Sequence, residues 1–236
     1  LDSCIKEALE VSKLDTVLVE EFIEGREFSI ESLHYDGKSE VIQFTEKKTT
    51  EFPYNVELGH KQPANLMDDQ RNQICDIISK IASCMHFKNC PSHTELKINN
   101  RGVFVIETSP RLGGDYITST LTPLSTGINL EDQLLNIALG EPVDTTTGRV
   151  EKASAVCFFS LPEGKVTAID NKINEASQWP NVHSFHLKLK EGDTVNKITS
   201  SLNRYGQFIV TGDSREEVDS LVEKYENQIN QLIIVE

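Results

Sequence analysis

HTELKINNRGVFVIETSPRLGGD, residues 93–115, decides how this chain is read. It divides into two extended runs, Thr94–Ile98 and Val103–Thr108, joined by a tight turn and followed by Pro110, Arg111 and the pair Gly113-Gly114. Side chains on a strand alternate between faces, so register determines which of them meet. A three-residue Asn100-Arg101-Gly102 loop, with Gly102 in the left-handed position, is a favoured hairpin connection. It pairs Asn99 with Val103 and sets Glu95 directly opposite Glu107, with Lys97 and Val105 beside them. Two facing carboxylates repel unless a cation lies between them. An oxygen-rich pair on a rigid hairpin suits Mg²⁺, which takes one or two carboxylates together with substrate phosphates. The expectation is a Mg-nucleotide site.

The rest of the chain bounds that idea. With 236 residues it can bury a sizeable core in one or two domains. It is 38% hydrophobic and 25% charged, with a formal net charge of −14, so polyanionic partners such as nucleic acid or an anionic membrane would be repelled. No apolar run has the length of a membrane span and no signal peptide stands at the start. The 5 cysteines, Cys4, Cys75, Cys84, Cys90 and Cys157, are odd in number and scattered, which favours free thiols in a reducing, cytoplasmic setting. Cys84, His86, Cys90 and His93 could be drawn as a zinc site. Their C-x-H-x₃-C-x₂-H spacing matches no common ligand pattern, and half-buried cysteines are the plainer account.

Going outward from the hairpin, residues 3–12 have a helical pattern with Ser3 as a cap. A strand is expected from Val17 to Ile23, a turn at Glu24-Gly25-Arg26, and a second strand over Glu27–Tyr35. Asp36-Gly37 is a strong hairpin signal leading into Glu40–Lys47. Thr49–Pro63, which holds His60, has no period and reads as an irregular polar loop. Ile74, Ile77, Ile78, Ile81 and Met85 form one apolar stripe of a helix over Asp68–Met85. Short helices follow over 116–124 and Asn129–Leu139. The polar, Thr-rich stretch Val143–Lys152 is taken as a boundary between residues 1–142 and 153–236. Beyond it come strands at Ser154–Ser160, Lys165–Ile169, His183–Lys190 and Gln207–Thr211. A final helix opens with Ser214 and Glu217 in a capping-box pattern. Strands followed by a packed helix make the second part a small α+β unit.

Three stretches then line up. VLVEEFIEGREFSIE (17–31), HTELK (93–97) and VIETSPRLGGD (105–115) together resemble the nucleotide-binding half of an ATP-grasp ligase. ELGHKQPA (57–64), FFSLPEGKV (158–166), LKLKEGDTV (187–195) and GDSREEV (212–218) resemble the L-amino-acid ligase branch of that superfamily. The fold class this implies is α+β: the C-terminal part of an ATP-grasp fold, an antiparallel sheet with packed helices, plus a small α+β C-terminal subdomain. The cofactors implied are ATP and Mg²⁺, with Mn²⁺ as an alternative metal.

Carried over position by position, the resemblance puts Glu20, Glu21, Phe22 and Ile23 on the strand that meets the adenine edge, and Glu27 at the ribose hydroxyls. Glu95 and Glu107 match the two metal carboxylates. Ser109 stands where the family usually has Asn as a further metal contact. Arg111 matches a guanidinium that meets phosphate and the developing acyl phosphate, and His60 a histidine close to the substrate amino acid. Asp115 falls at a position lining the acceptor pocket, where it would favour a cationic group, or else it caps the following helix. Solvated strand carboxylates, a surface salt bridge for Arg111 and a solvent-facing His60 are the plainer alternatives.

The implied activity is an ATP-dependent carboxylate–amine ligase that forms an amide through an acyl phosphate and releases ADP and phosphate. Its substrates would be a small carboxylic acid and an amine, both of them amino acids in the branch it resembles, and a homodimer stays open. A carbamoyl-phosphate-synthase-like or carboxylase-like enzyme, or a nucleotide-binding module without turnover, is the alternative. The Gly-rich loop and lysines that precede the adenine strand in this fold have no counterpart here, and the sequence begins at Leu1. The expectation is therefore an excised piece of a longer protein, inactive alone.

Overall fold

The computed structural model describes residues 2–236. Its frame is an 8-stranded antiparallel sheet in the order β5-β4-β1-β2-β3-β6-β10-β8. The strands are β1 (Arg26–Tyr35), β2 (Lys38–Thr49), β3 (Glu57–Gln62), β4 (Cys90–Asn99), β5 (Gly102–Ser109), β6 (Ala153–Phe158), β8 (Val182–Leu187) and β10 (Gly206–Gly212). A second, 3-stranded sheet is formed by β7 (Gly164–Ile169), β9 (Thr194–Val195) and β11 (Ile233–Val235). The helices are α1 (Asp2–Val11), α2 (Asp68–Cys84), α3 (Thr122–Thr126), α4 (Leu130–Leu139) and α5 (Arg215–Leu232). The α+β class expected from the sequence is what forms, and the main sheet runs without a break across Val143–Lys152, because β3 pairs with β6.

Alternation gives the sheet two unlike faces. On one, Phe28, Ile30, Leu96 and Ile98 are buried against Ile74 and Ile78 of α2. At the other end of the sheet Ala153, Ala155, Phe208 and Val210 pack against Val218, Val222, Tyr225 and Ile229 of α5. On the opposite face of β1–β4 the residues between these apolar positions are polar yet buried: Ser29, Glu31, Thr45, Lys47, His60, Gln62 and His93. That face is roofed by residues 113–126. Gly113 N donates to Glu31, Gln62 Nε2 to Thr122 Oγ1, and Gln43 Nε2 to Ser125 Oγ. The roof is tight at Gly113, where a Cβ would fall 2.7 Å from both Glu31 Oε1 and His93 Nδ1.

Several expectations change. The β4–β5 turn is two residues, Asn100-Arg101, so Asn99 faces Gly102 and Leu96 faces Val105. A bulge at Ile106 then adds one residue to β5 and brings Glu95 back opposite Glu107. Lys97 consequently faces Phe104. No strand forms over Val17–Ile23. β1 is already paired on both edges by β2 and β4, and the segment stays outside the sheet and largely exposed, with Leu18 at 81% exposure. The expected loop 49–63 contains β3, a strand whose two neighbours β2 and β6 satisfy its backbone although its sequence, ELGHKQ, has no apolar alternation. Residues 117–121 make a π-helical turn before α3, and the chain ends in β11 rather than in the helix.

Helix α2 keeps its stripe except at Met85, which lies at its C-cap and is 58% exposed. Ile78→Ala should therefore lower stability by about 2–5 kcal/mol, the cost of emptying a closed core site. Met85→Ala should stay within about 0.5 kcal/mol. Chemical denaturation of the two variants checks this, and equal losses would show that the stripe extends to Met85.

Candidate functional site

The polar face of β1–β5 gathers the carboxylates singled out in the sequence. Glu95 of β4 stands opposite Ser29 of β1 on one side and Glu107 of β5 on the other. Glu27 of β1 is opposite Lys97. Like-charged neighbours at this density need internal cations, and two are supplied from within the sheet.

The first is Lys47, whose side chain is almost entirely buried. Its Nζ lies 2.6 Å from Glu95 Oε1, 3.2 Å from Glu27 Oε1 and 3.8 Å from Glu57 Oε1. Burial works to lower the Lys47 ammonium, but the pull of Glu95, Glu27 and Glu57 outweighs it and raises its pKa. The second is His93. Its Nδ1 is 2.5 Å from Glu31 Oε1 and its Nε2 is 3.3 Å from Glu95 Oε1. Burial alone would lower its pKa, but the bonds to Glu31 and Glu95 carry it up to about 9. Glu95 moves the other way: burial would raise it, and His93 and Lys47 together hold it down to about 2. Glu107 is exposed and, among the described residues, meets no cation; Ser109 Oγ lies 3.4 Å from its Oε1.

A second knot of charge lies further along the face. Arg204, from the turn before β10, donates from Nη1 to Asp115 Oδ2 at 2.8 Å and from Nη2 to Glu57 Oε2 at 3.0 Å. His60 of β3 lies opposite Lys47 in register, with Nε2 3.5 Å from Asp115 Oδ2. At that separation neither ring nitrogen has a hydrogen-bond partner, although the ring is enclosed. Its pKa is lowered, chiefly by burial, against the opposing pull of Asp115. Asp115 would itself be raised by burial, but His60 and Arg204 hold it at about 2.

Set against the sequence reading, Glu95, Glu107 and Ser109 come together on the hairpin, with Glu27 tied to Lys47 and Lys97 beside them. His60 and Asp115 also meet. Asp115 does not cap the next helix: it has φ 49° and its carboxylate is turned to Arg204. Arg111 is exposed, with Nη1 on the Leu112 carbonyl at 3.0 Å. Glu20, Glu21, Phe22 and Ile23 lie on the unpaired segment, where Glu21 meets Arg101 and Phe22 meets Lys97 and Phe52. Cys84, His86, Cys90 and His93 do not converge, since His93 is committed to Glu31 inside β4. Among the described residues no group of three or more His, Cys, Asp and Glu side chains is arranged to hold a metal.

Lys47, Glu31, Glu57 and Arg204 were not singled out in the sequence. Lys47 and Glu31 could have been found from the β1–β2 hairpin, had the bulge at Ile42 been foreseen. Nothing in the sequence around Arg204 brings it to residue 115.

Comparison with known proteins fits this arrangement. Residues 3–119 match the family described as ATP-grasp domain, and residues 157–231 match L-amino acid ligase C-terminal domain 2. The chain belongs to the ATP-grasp superfamily. It is 28% identical over 126 residues to the alanine–anticapsin ligase of Bacillus amyloliquefaciens, covering 52% of this chain and 26% of that one. It is 24% identical over 208 residues to an uncharacterized protein of Sinorhizobium fredii, covering 88% of this chain and 42% of the other. Among solved structures, the L-amino acid ligase of Bacillus licheniformis superposes with a TM-score of 0.73 at 23% identity, over 91% of this chain and 52% of that one. The phosphoribosylglycinamide synthetase of Anaerococcus prevotii gives 0.75 at 21%, over 98% and 58%. The chain thus spans well under two thirds of each relative. In this ATP-grasp chain Glu95 of the hairpin joins Lys47, Glu27, His93 and Glu31 in one largely buried charge network, with Glu107 outside it.

That network makes a pH prediction for the metal-free protein. Because the folded pKa of His93 lies above its ordinary 6.5, its stabilisation is complete below pH 6.5 and is lost as pH rises through about 9. Glu95 contributes in full above 4.5 and loses its share as pH falls towards about 2. Urea midpoints measured in chelator should decline between pH 6.5 and 9, and His93→Gln should flatten that decline. An unchanged slope in the variant would remove His93 from the network.

Proposed function

We propose that the full-length protein is an ATP-dependent carboxylate–amine ligase joining two small substrates, most simply amino acids, with ADP and phosphate as the other products. One observation carries the reading: Glu95 and Glu107 face each other across the β4–β5 bulge, with Ser109 beside Glu107. This donor set, two carboxylates and a hydroxyl on a rigid hairpin, fits a hard oxygen-seeking ion such as Mg²⁺. When bound there, Mg-ATP would supply the phosphoryl group that activates a carboxylate.

The chain's own residues have separate tasks in this reading. Lys47 and His93 fix the Glu95 carboxylate in place and keep it ionised. Glu27 and the exposed Glu20–Ile23 segment offer polar and backbone groups for the nucleoside. Arg111 is exposed and holds only one carbonyl, which leaves most of its donor fork for an anionic phosphate or a developing oxyanion. His60, enclosed and neutral, has both ring nitrogens unspent, as suits a group that meets substrate rather than protein. Residues 113–126 roof this face and exclude water from it.

The test is ADP release by the full-length protein, with ATP and Mg²⁺, in the presence of amino-acid pairs. Release should require both a carboxylate and an amine donor. Glu107→Gln should lower kcat by about 100-fold or more, since it removes a charge aimed at the metal, and should raise the Mg²⁺ needed for half-activity. ATP turnover indifferent to every amine, or unaffected by Glu107→Gln, would defeat the ligase reading.

A further inference from the structure

Arg204 belongs to the C-terminal part of the chain, yet its side chain ends inside the candidate site. It is 6% exposed, and its guanidinium lies over the Phe158 ring with Cζ 3.8 Å from the centroid. From there its two terminal nitrogens take one carboxylate each, Asp115 and Glu57, which are 38% and 30% exposed. The same Asp115 oxygen lies 3.5 Å from Nε2 of the enclosed, unpartnered His60. A second residue from the same region, Gln207 of β10, donates from Nε2 to the hydroxyl of Tyr116 at 2.9 Å, next along the chain from Asp115. The acidic rim beside His60 is therefore already neutralised from within the protein.

We infer that Arg204 sets the charge of the substrate pocket: it is a positioning residue that occupies Asp115 and Glu57, so that the pocket takes an amine substrate with a neutral side chain and disfavours a basic one. This rests on the ligase reading above. A free Asp115 would attract a cationic group, but a carboxylate bonded to a guanidinium has little to offer a second cation. An incoming lysine-like or arginine-like side chain would meet Arg204 itself, and such like-charge meetings are how binding sites reject a partner. Without Arg204, two partly exposed carboxylates would face the pocket. Glu57 would keep only the longer contact with Lys47, and Asp115 only His60.

The experiment compares the full-length protein with Arg204→Met, Arg204→Lys and Arg204→Met/Asp115→Asn. ADP release is measured with one fixed carboxylate donor and either a neutral or a basic amino acid as the amine. The unmodified protein should prefer the neutral one. Arg204→Met should move the basic-to-neutral ratio of kcat/KM upward by about tenfold, mainly through KM, as expected for exposing a charge partner. The double variant should abolish the shift, and Arg204→Lys, which keeps a charge without the fork, should shift it less. A merely structural Arg204 would depress both substrates alike, and an unchanged ratio overturns the inference.

A second readout needs no turnover. The groups facing His60 are Asp115 at 3.5 Å, then Lys47 and Glu57 at longer range, with the edge of Phe158 closing the site. Removing Arg204 frees Asp115 to stabilise the His60 imidazolium, so the His60 NMR titration should move upward in Arg204→Met. No movement there refutes the hold of Arg204 on Asp115. Absence of any amine-stimulated ADP release in the unmodified protein would instead defeat the ligase reading, and the selectivity with it, while leaving that titration standing.

Discussion

The buried ammonium of Lys47 is the constraint on which the polar face depends. Glu27, Glu57 and Glu95 come from three different strands, and Lys47 on a fourth reaches all of them within 3.8 Å. An ion pair taken out of water is costly, and losing one partner costs more, because the remaining charges cannot be rehydrated. The sheet therefore cannot hold its carboxylates together without this lysine. Its role as an internal counter-ion explains how a chain of net charge −14 concentrates acids on one face without unfolding it. His93 does the same for Glu31 and Glu95 one row along, and Arg204 for Glu57 and Asp115. These cations hold the carboxylates in position, so the polar face is preformed rather than assembled by a ligand.

The placement of these groups follows from two bulges. In the β1–β2 pair the extra residue is Ile42, and it carries Lys47 to the level of Glu27. In the β4–β5 pair it is Ile106, and it brings Glu107 to Glu95. A bulge shifts every later side chain by one step, so it re-aims a whole set of residues at little cost. Both bulges lie between the turn and the site. Each hairpin thus uses an ordinary tight turn at its outer end and corrects the register before the functional row.

This is also where legibility in the sequence divides. Strands β1, β2 and β4 and helices α2 and α5 are readable because their apolar residues keep a period set by burial against one neighbour, and β5 from its unbroken run Val103–Ile106 after the turn. The Glu95–Glu107 pairing was reached through a three-residue turn without a bulge; the structure uses a two-residue turn with one, and the two differences cancel at those positions but not at Lys97. Strand β3 was invisible, since His60 and Gln62 face a polar interior and Lys61 reaches Asp219 on α5. No local pattern marks a strand in which Leu58 is the one apolar side chain and the rest of the burial is polar. The expected strand at Val17–Ile23 failed for a different reason: it has β-forming residues, but the strand that follows it, β1, is already paired on both edges, and the segment makes no ladder of its own. Arg204 lay beyond any pattern, as its partners are 89 and 147 residues away.

These long-range contacts change the standing of the C-terminal part. Strand β6 completes the hydrogen bonding of β3, so the backbone carrying His60 is fixed from one side by residues 154–157. Arg204 then fixes the carboxylate next to His60, and Arg215 at the start of α5 bonds Glu46 and the Pro63 carbonyl at the two strands' other ends. A side chain held from several directions has few alternative rotamers, and its geometry is settled before any ligand arrives. The residues after 152 therefore form one wall of the site. If one half of a ligase handles the nucleotide and another shapes the pocket for the amine, variation in the C-terminal half can change what is joined without disturbing how phosphate is handled. Under the ligase reading proposed above, Arg204 is the point where one substitution would make that change.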